Sequence, residues 1–326
     1  MTVLVTGGAG YIGSHMVLGL RDAGQDVVVI DNLSAGYRFL VPEDVPFVEG
    51  DIGDHDLVDT VFRDNNIESV VHFAGSIIVP ESVEKPLLYY HNNTVKSRTL
   101  IEACTKAGVK NFIFSSTAAV YGNPDQSPVG ETAPLAPISP YGTSKLMSEL
   151  MLRDTAAAHD FNYVALRYFN VAGADPGGRS GQSGPVVTHL IKIAAQAALG
   201  LRDGMQIFGK DYDTPDGTCI RDYIHISDLI TAHLAALMHL RADGKSAVFN
   251  CGYGHGSSVS EVIAAVERAS GKSIDVADAP RRAGDPPDLV ANADKLRAEL
   301  GWTPHHDDLD EIVASALAWE ERLSRR

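Results

Sequence analysis

The strongest constraint on this sequence is a glycine-rich turn between a short apolar run and a helical segment. Residues 2–6 are mostly β-branched and apolar, which predicts a buried strand, and residues 14–20 have a helical pattern. Between them, Gly7, Gly10 and Gly13 have the G-x-x-G-x-x-G spacing of a dinucleotide-binding turn. Glycines there permit a tight turn, close approach of the backbone to a pyrophosphate, and close helix–strand packing. The sequence therefore predicts a nucleotide-binding βαβ unit.

An acidic residue follows the next predicted strand at the distance that such a unit requires. Residues 27–30 form an apolar run that ends at Asp31, which lies 31 − 13 = 18 residues beyond Gly13. This is close to the spacing of about 20 at which a carboxylate binds a ribose 2′-hydroxyl. Because a carboxylate there repels a 2′-phosphate, the sequence favours NAD over NADP. Asp51, after the next apolar run, is a candidate contact to the adenine, and a simple turn residue is the alternative.

A tyrosine and a lysine four residues apart provide the second chemical signal. Ser139 and Pro140 are typical of the N-cap and first residue of a helix, so Tyr141 falls in its first turn and Lys145 on the same face. The helix dipole and the neighbouring cation both favour a phenolate, so we expect the pKa of Tyr141 to lie below its usual value of about 10. Such a tyrosine is a candidate general base. An incidental pair on an exposed helix is the alternative, and the nucleotide-binding unit favours catalysis.

Apolar runs alternate with helical patterns through much of the chain, which predicts an α/β protein with a Rossmann-type, doubly wound parallel sheet. The predicted strands are residues 45–48, 69–73, 111–116, 163–167 and 247–250, and the predicted helices are residues 55–64, 87–107, 141–158, 186–199 and 227–239.

A change in composition after Asn170 indicates a second lobe. Residues 173–184 are rich in Gly, Ser and Pro and predict a loop. We expect a smaller, mixed C-terminal lobe that binds the substrate. The expected division is an NAD-binding domain of residues 1–170 plus 221–252 and a substrate-binding lobe of residues 171–220 plus 253–326.

Composition excludes several other classes of protein. Of the 326 residues, 44% are hydrophobic and 21% are charged, as in a soluble globular protein, and the net charge of −15 argues against nucleic acid or an anionic membrane as a partner. The three cysteines have no CxxC spacing and the histidines no metal-ligand spacing, so no metal site is expected. Without a leader or a long apolar run, the chain is expected to be cytoplasmic.

Seven motifs occur together in an order that resembles the extended short-chain dehydrogenase/reductase family, over nearly the whole chain. They are TGGAGYIG at residues 6–13, HFAG at 72–75, FSST at 114–117, YG at 121–122, Tyr141-x-x-x-Lys145, RYFN at 167–170 and RDYIH at 221–225. The resemblance implies a tightly bound NAD. Its implied contacts are Gly7, Gly10, Tyr11, Ile12, Gly13, Asp31, Asn32, Asp51, Ile52, Phe73, Ala74, Gly75, Asn92, Ser115, Tyr141, Lys145 and Tyr168.

The resemblance also implies a reaction, the reversible inversion of C4 of a UDP-sugar, with UDP-galactose and UDP-glucose as the expected pair. Tyr141 would take the proton of the sugar 4-hydroxyl while C4 gives a hydride to NAD. Lys145 would hold the nicotinamide ribose and keep Tyr141 acidic, assisted by the positive charge of the oxidised nicotinamide ring. Thr117 would orient the 4-oxygen and help to transfer the proton, and capping a turn is its alternative role. The 4-keto sugar would then turn over, and hydride would return to its other face.

Further residues match substrate contacts of the family. Arginines suit bidentate binding of a pyrophosphate, whereas a solvated charged loop is the alternative for the charged members of the set. The implied substrate contacts are Thr117, Tyr141, Asn170, His189, Phe208 beside the uracil, Arg221 and Arg282 at the pyrophosphate, Asp285 near the ribose of UDP, and Leu289 near the sugar 2-substituent.

The sequence departs from the family pattern at three positions. Ser76 stands near the position where many members have a lysine, and His189 stands where an asparagine contacts the sugar nucleotide. Leu289 replaces a bulky tyrosine that is thought to exclude N-acetyl sugars, so we expect some activity on UDP-N-acetylglucosamine.

Related 4,6-dehydratases carry an Asp-Glu pair after the position of Thr117. Here Ala118 and Ala119 cannot perform acid–base chemistry, which disfavours dehydration.

Alternative functions remain within and outside this family. The chain is alternatively an epimerase of a UDP-N-acetylhexosamine, UDP-pentose or UDP-uronate, a reductase with net redox turnover, or a catalytically silent NAD sensor. A sensor needs neither Tyr141 nor Lys145, which favours an enzyme. The resemblance implies a homodimer in which residues 87–107 and 141–158 of two copies form a four-helix bundle.

Overall fold

The computed structural model describes residues 2–184, 186–282 and 285–326. The strands in these ranges are β1 Thr2–Thr6, β2 Asp26–Asp31, β3 Phe47–Glu49, β4 Ile67–His72, β5 Asn111–Ser115, β6 Asn162–Tyr168, β7 Asn170–Ala172, β8 Met205–Phe208, β9 Ile220–Arg221, β10 Tyr223–His225, β11 Ala247–Cys251, β12 Ser257–Ser258, β13 Val276–Ala279 and β14 Asp288–Leu289. The α-helices are α1 Tyr11–Asp22, α2 His55–Asn65, α3 Val79–Glu84, α4 Pro86–Tyr89, α5 Lys96–Ala107, α6 Pro140–Ala158, α7 Leu190–Ala198, α8 Ile226–Arg241, α9 Val259–Ser270, α10 Asp294–Leu300 and α11 Leu309–Leu323.

Seven parallel strands form the central sheet, in the order β3-β2-β1-β4-β5-β6-β11. Alternate residues of β1 face opposite sides, because Val3 and Val5 enter one apolar core with α1 and α8 while Leu4 enters another with α2, α5 and α6. A parallel sheet covered on both faces confirms the predicted Rossmann-type fold. The strand order reverses between β1 and β4, so a crevice at the carboxyl ends of these strands is the expected ligand site.

Smaller sheets lie beside the carboxyl ends of the central strands. They are the pair β7–β10, the mixed sheet β12–β9–β14 and the pair β8–β13. Two buried carboxylates hold backbone segments next to these sheets. Asp222 accepts the N–H groups of Tyr253, Gly254 and Ala291, and Asp228 accepts two N–H groups and the hydroxyl of Tyr253. The smaller mixed sheets agree with the expected C-terminal lobe, and the exact division of the chain stays a prediction.

Two predicted helices need correction. Residues 87–107 are not one α-helix, because a π-helix at Tyr90–Val95 separates α4 from α5. The carbonyl of Asn93 accepts the hydroxyls of Ser97 and Ser148, which gives the widened turn two side-chain partners. The helix predicted at residues 186–199 begins at Leu190, with His189 as its N-cap. No helix within the described ranges is long and apolar enough to cross a membrane.

Buried histidines predict how stability depends on pH. Burial lowers the pKa of His72 from 6.5 to about 3 and the pKa values of His15, His225 and His233 to about 4. Below pH 6.5 the unfolded chain therefore binds protons that the folded chain does not. The free energy of unfolding should fall as the pH drops from 6.5 towards 4, by up to about 1.4 kcal/mol per pH unit for each histidine. Protonation of Asp222, whose pKa burial raises to about 6, offsets part of this loss.

Urea unfolding across this pH range measures the effect. His233→Phe is the most tolerable variant because its Nε2 has no hydrogen-bond partner, and it should reduce the slope by about one proton. An unfolding free energy that does not vary with pH in this range would contradict the prediction.

Candidate active site

The glycine-rich turn lies where β1 ends and α1 begins. Gly7 has a φ of 71°, in the left-handed region that favours glycine, and its N–H donates to the carbonyl of Ile30 at 2.9 Å. A Cβ on Gly13 would lie 2.1 Å from the carbonyl oxygen of Gly7, so a side chain there would disrupt the turn. Gly10 is the N-cap of α1 and offers no side-chain acceptor to the first turn. The free N–H groups of Tyr11 and its neighbours, Ile12 included, thus suit the pyrophosphate of a dinucleotide.

Asp31 is fixed against this turn. Its Oδ2 accepts the N–H of Ala9 at 2.9 Å, and its Oδ1 accepts the N–H of Leu33 at 2.8 Å. Burial raises the pKa of Asp31, and the two N–H groups oppose that rise. Each carboxylate oxygen has a second lone pair, so Asp31 retains the capacity to accept a ribose hydroxyl. The arrangement fits the predicted NAD contact.

Asp51 is hydrogen-bonded to Asn32, the residue that follows Asp31. The Asp51 carboxylate accepts Asn32 Nδ2 at 3.0 Å, Gly53 N at 2.8 Å and Lys96 Nζ at 2.6 Å. Burial raises the pKa of Asp51, but these three donors together hold it below its usual value. Ile52, the adjacent predicted contact, is buried. Sequence reasoning missed Lys96, because nothing in the pattern of its helix indicated an ion pair with a residue 45 positions away.

The end of β4 is held against β1 by a buried histidine. His72 bonds to the hydroxyl of Thr6 at 2.7 Å and to that of Ser97 at 2.8 Å. A Cβ on Gly7 would lie 2.7 Å from the backbone nitrogen of Ala74, so the glycine turn and residues 73–75 are in backbone contact. The predicted contacts Phe73, Ala74 and Gly75 therefore line the same crevice as the glycine turn. In the sequence, His72 was noted only as part of the HFAG motif. Its role in linking β4 to β1 depends on the fold.

Asn93 and Asn92 both hold Ser76, the residue that follows Gly75, although only Asn92 was predicted to lie at the site. Asn93 Oδ1 accepts the N–H of Ser76 at 2.7 Å, and Asn93 Nδ2 donates to Ser144 Oγ at 3.0 Å. Asn92 Nδ2 donates to Ser76 Oγ at 3.0 Å. A Cβ on Gly75 would be 2.9 Å from Asn93 Oδ1 and 3.7 Å from Lys145 Nζ, so glycine permits this close packing. The π-helix thus carries an asparagine to the region beside Lys145, which the predicted continuous α-helix did not indicate.

The predicted start of α6 is confirmed. Ser139 is the N-cap, its Oγ accepts the N–H of Gly142 at 3.2 Å, and Pro140 is the first helical residue. Lys145 is buried, and its Nζ donates to the carbonyl of Ser115 at 2.9 Å and lies 4.9 Å from the ring centroid of Phe114. Burial lowers the pKa of Lys145 to about 8, although the charge of Glu149 opposes this effect.

The expected direction of the Tyr141 pKa is wrong for this structure. Burial raises the pKa of Tyr141, and the hydrogen bond with the Thr117 side chain lowers it only in part. The Lys145 ammonium donates to the carbonyl of Ser115, and its charge is not among the causes that shift the pKa of Tyr141. The Tyr141 and Thr117 side chains do meet, although 24 residues separate them (141 − 117 = 24).

Tyr168 and Asn170 lie at the end of β6 and the start of β7. The Tyr168 hydroxyl is hydrogen-bonded to Ser115 Oγ, and burial raises the pKa of Tyr168. The Asn170 N–H donates to the carbonyl of Asp222 at 3.0 Å, which links β7 to the segment that carries Arg221. Ser115, Tyr168 and Lys145 are therefore in one contact network beside Tyr141.

The predicted substrate contacts form pairs in the C-terminal lobe. The guanidinium of Arg282 lies 3.8 Å from the ring centroid of Phe208, and a terminal nitrogen of Arg221 lies 3.7 Å from Asp285 Oδ1. Leu289 is the register partner of Arg221 in the β9–β14 pair. It packs with Phe169 on the cluster of Val120, Tyr121 and Val129. The chain thus brings together residues that are 60 or more positions apart.

His189 is the N-cap of α7 and is linked to β7. Its ring is hydrogen-bonded to the backbone of Val171, the residue after Asn170. Burial is the main cause of the lowered pKa of His189, and the charge of Lys192 adds to it. Within the described residues, no group of three His, Cys, Asp or Glu side chains could hold a metal ion.

Comparison with known proteins identifies the family. Residues 3–252 match the model of the NAD dependent epimerase/dehydratase family, and the chain belongs to this family. The UDP-glucose 4-epimerase of Azospirillum brasilense is 61% identical over 99% of this chain and 93% of its own length. These findings confirm the resemblance and the NAD-dependent epimerase class that the sequence motifs predicted.

Two solved structures extend the comparison. The UDP-glucose 4-epimerase of Bifidobacterium longum, in complex with NAD+ and UDP, has a TM-score of 0.93 and 42% identity and covers 99% of this chain and 98% of its own. The UDP-Glc/GlcNAc 4-epimerase of Campylobacter jejuni has a TM-score of 0.87 and 50% identity, with 98% and 99% covered. The uncapped start of α1 and the carboxylate of Asp31 fit the family's cofactor, NAD.

Proposed function

We propose that this chain interconverts UDP-galactose and UDP-glucose by inverting C4 through a transient 4-keto sugar, with NAD bound throughout. The observation that carries the proposal is the meeting of Tyr141 with Thr117, next to Lys145 and the cofactor crevice. Relatives with 61% and 42% identity carry the name UDP-glucose 4-epimerase.

Three side chains divide the work at the sugar C4. Bound NAD supplies a reversible hydride acceptor beside the sugar. Tyr141 removes the proton of the 4-hydroxyl and later returns it, and Thr117 orients the 4-oxygen through its contact with Tyr141. Lys145 binds the nicotinamide ribose and contributes positive charge beside the phenol. Ala118 and Ala119, which follow Thr117, cannot donate or accept a proton, which favours epimerisation over dehydration.

The C-terminal lobe holds the UDP part of the substrate in this proposal. Arg221 and Arg282 bind the pyrophosphate, Phe208 packs beside the uracil, and Asp285 contacts the ribose. Asn170 and His189 contact the sugar nucleotide from β7 and α7. The placement of the pyrophosphate, uracil and ribose contacts is supported by the packing of Arg282 on Phe208 and the approach of Arg221 to Asp285.

The three cysteines are buried and free, which suits a reducing cytoplasm.

Purified protein given UDP-galactose without added cofactor should form UDP-glucose, as followed by proton NMR. Tyr141→Phe should bind NAD as the wild type does but lose turnover by about a hundredfold or more, because it removes the proton acceptor. Tyr163→Phe, at the opposite end of β6, is the matched control and should retain wild-type turnover.

Unchanged turnover in Tyr141→Phe would refute its assignment as the base. No conversion by the wild type, even with NAD supplied, would shift the proposal to another UDP-sugar or to an NAD sensor.

A second candidate substrate follows from Leu289. Its side chain packs on the cluster of Val120, Tyr121 and Val129, where a leucine occupies less space than the tyrosine expected in the family. We propose that an acetamido group at C2 is accommodated there. The Campylobacter jejuni relative, 50% identical, carries UDP-Glc/GlcNAc 4-epimerase as its name, which supports the proposal.

Turnover of UDP-N-acetylglucosamine should therefore exceed roughly a thousandth of UDP-glucose turnover, a gap of about 4 kcal/mol. Leu289→Tyr should lower turnover of the N-acetyl sugar at least about tenfold more than that of UDP-glucose, because the ring fills the space. Turnover assays with both sugars measure this. Wild-type turnover of the N-acetyl sugar below that limit would defeat the proposal.

We also propose a homodimer formed through an apolar patch of Val83, Leu87, Leu88, Val95, Met147 and Leu150. These side chains of α3, α4, the π-helix and α6 are exposed, with Leu87 at 79% and Val83 at 63%. The supporting elements contact one another, since α3, α4 and α5 all pack on α6. Exposed apolar side chains on neighbouring helices are typical of an interface, and two copies would bury them in a four-helix arrangement.

Leu87→Asp should convert the dimer to a monomer, because a charge would be buried in the interface. Light scattering after size-exclusion chromatography measures the mass. Met238→Asp alters an equally prominent apolar residue, 60% exposed on α8, and should leave the dimer intact. A wild-type monomer, or a Leu87→Asp dimer, would be the contrary result.

A further inference from the structure

A buried ion pair lies directly behind the proposed proton-transfer residues. Glu149 and Arg167 have side chains only 5% and 4% exposed. Arg167 Nε is 2.9 Å from Glu149 Oε1, and a terminal nitrogen is 2.5 Å from Oε2, so the pair is bidentate. Such a fork fixes both the distance and the angle between the two side chains.

The pair joins the three segments that carry the proposed active-site groups. Glu149 lies one helical turn after Lys145 on α6. Its Oε1 also accepts the hydroxyl of Ser116, which lies between Ser115 and Thr117. Arg167 directly precedes Tyr168 on β6. One carboxylate therefore contacts α6 and the ends of β5 and β6 together.

The network continues beyond the pair into β11. A terminal nitrogen of Arg167 donates to Tyr121 Oη at 3.0 Å, and Tyr121 in turn donates to Asn250 Oδ1 at 2.7 Å. Asn250 Nδ2 donates to the carbonyl of Val129 at 2.8 Å. Arg167 is thus held on both sides, and its position cannot change without breaking buried hydrogen bonds.

Stability alone is a weak reason for this arrangement. Burying two charges costs about as much as their attraction returns, and apolar residues of similar size often stabilise a protein equally well. A bidentate pair instead fixes orientation. The nearby charge of Glu149 also raises the pKa of Lys145 against the effect of burial.

We propose that Glu149 and Arg167 are positioning residues, which hold Lys145, Thr117 and Tyr168 at the relative distances that proton transfer and cofactor binding require. This inference rests on the proposed function for the proton-transfer step, but its effect on cofactor binding does not. Misplacing reacting groups by about 1 Å costs on the order of a hundredfold in rate.

Arg167→Lys tests the proposal, because it keeps the charge but cannot bond at once to both Glu149 oxygens and to Tyr121. The matched control is Arg241→Lys. Arg241 makes a bidentate pair with Glu68, at 3.0 and 2.9 Å, at the amino end of β4, far from the proposed active site. Ser116→Ala is a milder second variant, which removes only the hydroxyl that joins β5 to Glu149.

Three measurements are compared at a temperature where all variants are folded: kcat and KM with UDP-galactose at saturating NAD, the Kd of NADH by fluorescence, and Tm. Arg167→Lys should lower kcat at least about tenfold with KM changed less than about threefold, and should weaken NADH binding by about fivefold or more. Ser116→Ala should show the same pattern at roughly threefold, with Tm near that of the wild type. Arg241→Lys should lower Tm but keep kcat and the Kd of NADH within about twofold.

The outcomes separate this inference from the proposed function. Wild-type kcat and NADH affinity in both Arg167→Lys and Ser116→Ala, or equal losses in Arg241→Lys, would overturn the positioning role. If the wild type does not convert UDP-galactose, the proposed function fails. Weaker NADH binding by Arg167→Lys, but not by Arg241→Lys, would still support the positioning role in that case.

Discussion

The backbone contact between the glycine turn and the end of β4 is the constraint on which the rest of the site depends. A Cβ on Gly7 would lie within 2.7 Å of Ala74 N, and His72 bonds across to Thr6 at 2.7 Å. Because β1 and β4 meet so closely at the point where the strand order reverses, their carboxyl ends form one crevice. The glycine turn and the residues beside Lys145 are thereby brought to a single crevice.

The proposed base lies in an environment that opposes its ionisation. Burial raises the pKa of Tyr141 and lowers that of Lys145 to about 8, so the protein alone disfavours charge on both groups. A positive charge beside the phenol reverses this effect, and an oxidised nicotinamide ring carries such a charge. In the proposed reaction, removal of the proton is therefore favoured only while the cofactor is oxidised. This coupling suits an enzyme that keeps its hydride.

Local patterns predicted part of this site, and long-range contacts account for the rest. The glycine spacing, Asp31 and the Ser139 cap depend on neighbours within one βαβ unit or one helical turn, so the sequence indicates them directly. His72, Lys96, Asn93 and the Glu149–Arg167 pair acquire partners only when strands and helices assemble. The π-helix and the direction of the Tyr141 pKa were mispredicted for the same reason, because each depends on burial and on hydroxyls from distant segments.

The segment that carries Leu289, the proposed determinant of sugar specificity, is anchored to a buried carboxylate. Asp222, whose pKa burial raises to about 6, accepts the N–H groups of Gly254 and Ala291 at 3.1 and 3.2 Å. Leu289 lies two residues before Ala291 and pairs with Arg221, the neighbour of Asp222. The backbone around Leu289 is therefore held on both sides, and in the proposed substrate complex the space beside the sugar C2 depends on the volume of this side chain. Breadth of sugar specificity in this fold should then change with the residue at position 289 while the pyrophosphate contacts remain in place.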